Sequence, residues 1–299
     1  MKQILLTGAS GVLGTELISQ FLKNENDVTL HIISSRSEHL MKQFGLDSRL
    51  QYYSLNDWPS KIDFKEIEIV IHGAFARTEN GKDIADSIFF SKNLFSAIAV
   101  NPSIGLINIS SRSVYGQNET FPWNEQSFLI PENKYALGKV ANEMLTALLG
   151  DVTGIKTTNI RLAGLIGKNM DARIIARFVK AAIEERKLKI VGGEQHFSLL
   201  DTRDAAAAII QLTKLPIEKW EQTYNLGNVE QHTLLELAKM VTEIGEEYLD
   251  TRIQLEHEKS TIRLLDEMDS SLFYNQLNWQ PEYSMKDTIR LLFEYYLKK

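Results

Sequence analysis

Cysteine is absent from the 299 residues. That excludes disulfides, thiolate nucleophiles and thiolate metal ligands, and it fits a cytoplasmic protein. Basic residues are not in excess: 33 lysines and arginines stand against 39 aspartates and glutamates, a formal net charge of −6. Such a balance offers no electrostatic footprint for nucleic acid or an anionic membrane. No apolar run approaches the roughly 18 residues of a membrane span. The opening Met1-Lys2-Gln3-Ile4 enters a glycine turn too soon for a signal peptide, so a soluble cytoplasmic protein is expected. Repeats and low-complexity segments are missing, and the 6 prolines and 17 glycines are scattered, so no linker separates domains. What remains is a chain with 43% hydrophobic and 24% charged residues. It can bury a sizeable core, in one large α/β domain or in a nucleotide domain with a smaller companion.

The informative stretch comes first. Ile4-Leu5-Leu6-Thr7-Gly8-Ala9-Ser10-Gly11-Val12-Leu13-Gly14 reads as a buried strand, a tight turn and a helix start. Gly8 can turn sharply because it lacks a Cβ. Gly11 lets the backbone approach a pyrophosphate, and Gly14 lets the helix lie close on the strand. The unpaired N–H groups of the first helical turn suit a dinucleotide's phosphates. A second strand spans 27–33 and ends in Ser34-Ser35-Arg36-Ser37. NAD-binding folds keep a carboxylate about 20 residues past the glycines, for the ribose 2′-hydroxyl, and none is present here. A guanidinium flanked by hydroxyls welcomes a 2′-phosphate, so NADP(H) is the expected cofactor and NAD(H) the alternative. The strand that follows, 67–71, leads into His72, read as a structural histidine. Strands alternating with helices of a dozen or more residues predict a right-handed βαβ series, a parallel sheet covered on both faces.

A strand at 104–109 runs into Ser110-Ser111-Arg112-Ser113-Val114-Tyr115-Gly116, and Lys134-Tyr135-Ala136-Leu137-Gly138-Lys139 opens a helix reaching about residue 149. Tyr135 and Lys139, four apart, share one helical face. A phenol's pKa near 10 is too high for neutral pH. An ammonium nearby, with the charge of an oxidised nicotinamide, favours the phenolate. Tyr135 can then exchange a proton with a substrate oxygen while hydride moves to or from the cofactor. Lys139 is placed to hold the nicotinamide ribose hydroxyls, and Ser111 to hydrogen-bond and orient the same substrate oxygen.

The T-G-x-x-G-x-x-G turn, S-S-x-x-V-Y-G and Y-x-x-x-K together resemble the short-chain dehydrogenase/reductase family, in particular its extended epimerase/dehydratase branch. Asn159-Ile160-Arg161-Leu162-Ala163-Gly164-Leu165-Ile166-Gly167 resembles its R-x-x-N-x-x-G strand. Asp201-Thr202-Arg203-Asp204-Ala205 resembles V-D-x-x-D-V-A, Tyr224-Asn225-Leu226-Gly227 resembles Y-N-x-G, and Leu277-Asn278-Trp279-Gln280-Pro281 resembles L-G-W-x-P. The resemblance covers essentially the whole chain. It implies a doubly wound parallel (Rossmann) sheet with a smaller, mainly C-terminal substrate-binding domain. Residues 1–165, with returning segments near 196–228, would form the first, and 166–195 with 229–299 the second. It implies catalytic roles for Ser111, Tyr135 and Lys139. Cofactor contacts are implied for Gly8, Ser10, Gly11, Val12, Leu13, Gly14, Ser35, Arg36, Leu55, Ala74, Ser110, Tyr135 and Lys139, with no metal. Family members pair through two helices per subunit, here 84–100 and 134–149, so a homodimer is expected.

Three departures bear on the substrate. Gly164 stands where nucleotide-sugar members place an Asn against the diphosphate, and Gln195-His196 where many have an Arg. Arg173, Arg177 or Arg263 are left to supply that charge. Arg112-Ser113 replaces the dehydratases' Asp-Glu, which argues against dehydration. The expected activity is NADP(H)-dependent reduction or oxidation of a sugar-like ketone or hydroxyl, on a nucleotide-linked keto-sugar. A nucleotide-sugar epimerase that retains its cofactor is the alternative, and a non-catalytic NADP-binding sensor or scaffold the second.

Overall fold

Apolar runs that alternate sides set the architecture. In strand β1 (Lys2–Thr7), Ile4 and Leu6 enter one apolar cluster and Leu5 the other, so both faces of the strand are covered. The computed structural model describes residues 1–117, 122–260, 264 and 266–299. After β1 come α1 (Val12–Asn24), β2 (Val28–Ile33), α2 (Ser37–Phe44), β3 (Leu50–Tyr53), α3 (Trp58–Lys61), β4 (Ile69–His72), α4 (Gly81–Ile98) and β5 (Gly105–Ser111). They are followed by α5 (Lys134–Thr153), β6 (Lys156–Leu162), β7 (Gly164–Ile166), α6 (Ile174–Glu185), β8 (Lys187–Val191), β9 (His196–Phe197), β10 (Leu199–Asp201) and α7 (Thr202–Lys214). The chain closes with β11 (Thr223–Leu226), β12 (His232–Thr233), α8 (Leu234–Leu249), β13 (Gln254–Glu258), α9 (Ser271–Leu277) and α10 (Met285–Leu297).

Seven strands form one sheet in the order β11-β6-β5-β4-β1-β2-β3, every pair parallel. This is the doubly wound sheet expected from the sequence. The order reverses between β1 and β4, which opens a crevice at their C-terminal ends. One face is covered by α1, α2 and α7 through Leu17, Phe21, Leu40 and Ile209, the other by α4 and α5 through Leu94, Phe95, Ile98 and Leu149. A third cluster is built from α6, α8 and α10 with Leu188 and Ile190. No helix among the described residues is long and apolar enough to cross a membrane.

Helix ends follow capping rather than periodicity. The spacing predicts a helix from residue 84, but α4 begins at Gly81 because the Asn80 side chain accepts the Lys82 N–H at 2.9 Å. Likewise α5 runs past residue 149 to Thr153 and stops at Gly154, whose φ of +77° closes the turn. Asp201 and Asp204, in a stretch that resembles a family motif, have structural tasks. Asp201 caps α7 and accepts the Thr288 hydroxyl at 2.6 Å, and Asp204 accepts the backbone N–H groups of Glu282 and Tyr283.

Beneath the crevice lies a buried polar network. Arg161 of β6 pairs with Glu143 of α5 at 2.8 Å, each side chain only 7% exposed. Arg161 also donates to the Tyr115 hydroxyl at 3.0 Å, and Tyr115 donates to Asn225 Oδ1 at 2.6 Å. Ser110 donates its hydroxyl to Glu143. A carboxylate this buried is tolerable only while paired. Arg161→Met is therefore expected to cost about 3–5 kcal/mol, read by urea denaturation. Arg161→Met/Glu143→Leu, which strands no charge, should be less destabilised than the single variant.

Candidate active site

The glycine turn is a backbone cradle with no room for side chains. Gly8 has φ +74°, and a Cβ there would lie 2.7 Å from the Ala74 nitrogen; one on Gly14 would lie 2.5 Å from Ala9 Cα. Gly11 caps α1 without a side-chain hydrogen bond, so the first-turn N–H groups are open to an anion. The geometry fits a dinucleotide's pyrophosphate.

Above β1, β4 and β5 lies a cleft of about 1010 Å³. Gly8, Gly11, Val12, Leu13 and Gly14 line one wall, and Ser110, Ser111, Tyr135 and Lys139 another. Residues more than 100 positions apart are thus brought together by the order of strands. Ser10 lines a neighbouring cavity of about 630 Å³, with Thr15, Lys168 and Arg203. Ser35, Arg36, Leu55 and Ala74 are not on the cleft wall. Ala74 packs against the glycine turn and donates its N–H to Thr7 Oγ1 at 3.2 Å. Ser35 and Arg36 are exposed at the end of β2, and Leu55 is 47% exposed beyond β3. Ser34 Oγ accepts the Arg36 N–H at 3.0 Å. Among the described residues the Arg36 guanidinium has no hydrogen-bond or ion-pair partner.

Lys139 is buried beside Tyr135, its Nζ 5.9 Å from the centre of the phenol ring. Its Nζ donates to the Ile109 carbonyl at 2.7 Å and sits 4.4 Å from the centre of the Phe75 ring. Burial pushes its pKa down to about 7, opposed only in part by Glu143. Burial also raises the Tyr135 pKa; the downward influences are Arg77, a hydrogen bond with Ser111, Arg173 and Arg112. Phe75 stands edge-on to the Tyr135 ring at 6.2 Å.

Ser111 ends β5 and caps a short 3-10 turn, Arg112–Tyr115, taking the Ser113 N–H at 3.2 Å. The Ser113 hydroxyl donates to Ser111 at 3.0 Å, which leaves the Ser111 proton available to the Tyr135 oxygen. Ser110 borders the cleft, and its hydroxyl donates to Glu143. His72 is held at 2.8 Å by both Thr7 Oγ1 and Ser91 Oγ. Burial lowers its pKa to about 3, and it is a neutral structural group.

Of the arginines left to supply charge, Arg173 lines the cleft, Arg177 lines a separate hollow beside Phe178 and Lys187, and Arg263 lies outside the described residues. Two participants escaped the sequence. Glu143 lies four residues past Lys139 on the same helical face, a spacing that could have signalled it. Arg77 belongs to an irregular loop after β4 and carries no periodic signature.

Residues 4–227 match the NAD dependent epimerase/dehydratase family. The chain is 23% identical over 257 residues to UDP-glucuronic acid decarboxylase 1 of Danio rerio, covering 80% of this chain and 60% of that protein's length. It is 23% identical to a putative UDP-glucose 4-epimerase of Methanocaldococcus jannaschii, with 96% of each chain covered. Its fold is similar to that of UDP-glucuronic acid 4-epimerase from Bacillus cereus, solved with UDP-glucuronic acid and NAD: TM-score 0.80, 22% identity, 99% of both chains.

The buried lysine makes stability depend on pH. Its pKa is about 7 in the folded protein against 10.5 for an ordinary lysine. Between those values the unfolded chain holds more protons, so this group makes stability rise with pH across that window. Lys139→Met removes the effect. Thermal melts without added nucleotide should show a smaller gain in Tm from pH 7 to 10.5 for Lys139→Met than for the wild type.

Proposed function

The chain belongs to the NAD dependent epimerase/dehydratase family, and on that premise we propose that it reduces or oxidises a sugar ketone or hydroxyl, nucleotide-linked, with NADP(H) preferred. The observation that carries this reading is the convergence of Ser111, Tyr135 and Lys139 on the cleft that the glycine cradle enters. A nicotinamide dinucleotide bound there supplies the hydride donor or acceptor. The first-turn N–H groups of α1 take the pyrophosphate. Ser35 and Arg36, whose guanidinium has no partner among the described residues, take the 2′-phosphate beyond β2. Lys139 reaches the ribose hydroxyls, and its neighbours Phe75 and Ile109 keep water from it. Tyr135 Oη gives or takes the proton at the substrate oxygen, and Ser111 donates to the same oxygen and orients it. The cradle and first strands belong to residues 1–165, with returning segments near 196–228, and 166–195 with 229–299 bind the substrate.

Tyr135→Phe removes one hydroxyl and no charge. Turnover should fall at least about a hundredfold with NADPH affinity retained. The assay is nicotinamide absorbance with a panel of nucleotide-linked 4-keto-sugars. Near-normal turnover would remove Tyr135 from the mechanism. Net reduction consumes NADPH in proportion to product; an epimerase would turn over without consuming it.

NADPH should bind more tightly than NADH by about 1–3 kcal/mol, and Arg36→Ala should narrow that gap. Fluorescence titration of both nucleotides reads it directly; an NADH preference would overturn the assignment.

The assembly reading is a homodimer. Helices α4 and α5 expose Phe89 (65%), Leu137 (59%), Met144 (63%) and Leu148 (57%), apolar surface that a second copy would cover. Light scattering should give twice the 34.1 kDa of one chain.

A further inference from the structure

Two cavities meet at the start of α1. The cleft of about 1010 Å³ and the neighbouring cavity of about 630 Å³ share three wall residues, Gly11, Val12 and Asn169. Gly11 and Val12 are the cap and first residue of α1, whose N–H groups are open to an anion. Asn169 comes from the loop between β7 and α6, in the second half of the chain. The neck between the cavities thus has the helix start on one side and Asn169 on the other.

That loop is pinned at three points. Gly167 packs on the start of α7, where a Cβ would lie 2.8 Å from Thr202 Oγ1. Tyr295 of α10 donates its hydroxyl to Asn169 Oδ1 at 2.6 Å, and the adjacent Tyr296 donates to Asp171 Oδ1 at 2.6 Å. Asn169 has φ +61°. Asparagine enters this left-handed region more readily than most residues with a Cβ, but glycine enters it at lower cost. Glycine would serve the turn alone; what asparagine adds is its amide. A carboxamide carries an acceptor oxygen and two N–H donors. Tyr295 takes the oxygen, and among the described residues no protein acceptor takes the N–H groups. Holding the oxygen also orders the donors before a ligand arrives, which lowers the entropy cost of binding.

Resting on the proposed reading of the cofactor site, we propose that Asn169 is a further cofactor-binding residue. Its amide N–H donates to the dinucleotide's pyrophosphate from the side opposite α1, and Tyr295 is the positioning residue that holds it. The dinucleotide is then clasped at its middle, between a helix near the start of the chain and a loop from its second half. The group recognised is common to NADPH, NADH and ADP-ribose, so Asn169 adds affinity without choosing between nucleotides.

Calorimetric titration of those three nucleotides into the full chain tests it. Asn169→Gly removes the amide at a backbone angle glycine adopts freely. It should weaken all three about tenfold, the scale of one hydrogen bond to a charged group, and leave the NADPH-to-NADH ratio unmoved. Asn169→Asp keeps an oxygen for Tyr295 but sets a carboxylate against the phosphates, so it should weaken them further. Tyr295→Phe should weaken binding about threefold, the scale of freeing one ordered side chain, and not at all once residue 169 is glycine. A loss of equal size in both backgrounds would overturn the role of Tyr295. Thermal melts without nucleotide verify that each variant is folded. Unchanged affinity in Asn169→Gly would overturn the clasp and leave the cofactor reading standing. A loss confined to NADPH would move Asn169 to the 2′-phosphate, and one absent with ADP-ribose would move it to the nicotinamide; either overturns the pyrophosphate assignment. A wild type that binds none of the three removes the cofactor reading and this proposal with it.

Discussion

The ion pair between Glu143 and Arg161 is the constraint on which the reacting end of the cleft depends. Two charges removed from water are tolerable only when each finds a close partner and its remaining bonding capacity is used. Here the geometry meets that demand. Glu143 accepts the Ser110 hydroxyl, and Arg161 donates to the Tyr115 hydroxyl and to the Glu125 carbonyl, at 3.0 and 3.2 Å. Those bonds lock the end of β5 against α5. Ser111 is the next residue on β5, and Lys139 and Tyr135 are one and two turns back along the face of α5 that carries Glu143. Register set by the ion pair therefore sets where the three candidate catalytic groups meet.

Burial acts on those groups in a direction opposite to what proton transfer needs. It raises the Tyr135 pKa and lowers that of Lys139, so both are pushed towards their neutral forms. The cations that pull the phenol back are Arg77, Arg173 and Arg112, which approach from three separate loops. One of them, Arg112, is itself held by the buried Asp266, whose pKa burial raises to about 6. The phenol's environment is thus assembled from both halves of the chain. No short stretch of sequence carries it.

The sequence reading succeeded where local physics decides. The glycines at 8 and 14 are required by contacts within the turn and with the adjacent strand, and the apolar alternation of β1 is a direct record of its two covered faces. It is silent where a side chain chooses among partners that are near only in space. Helical spacing puts Lys139 on the face of Tyr135 but does not disclose that the Ile109 carbonyl, 30 positions away, accepts from its Nζ. The motif puts Ser110 at the strand end but does not disclose that its hydroxyl donates to Glu143. Arg161, Tyr115 and Asn225 each lie in a recognisable motif, and only their shared network explains why.

What the sequence by itself determined is the family, the parallel sheet and the residues that line the cleft from the turn, from β5 and from α5. The family follows from the resemblance of its motifs, and the sheet and the turn from backbone sterics and periodicity, which are properties of adjacent residues. The tertiary structure alone decided which charges face the phenol and which are spent in the core. Electrostatic interaction depends on distance and on burial, and neither quantity is written in the spacing of residues along the chain.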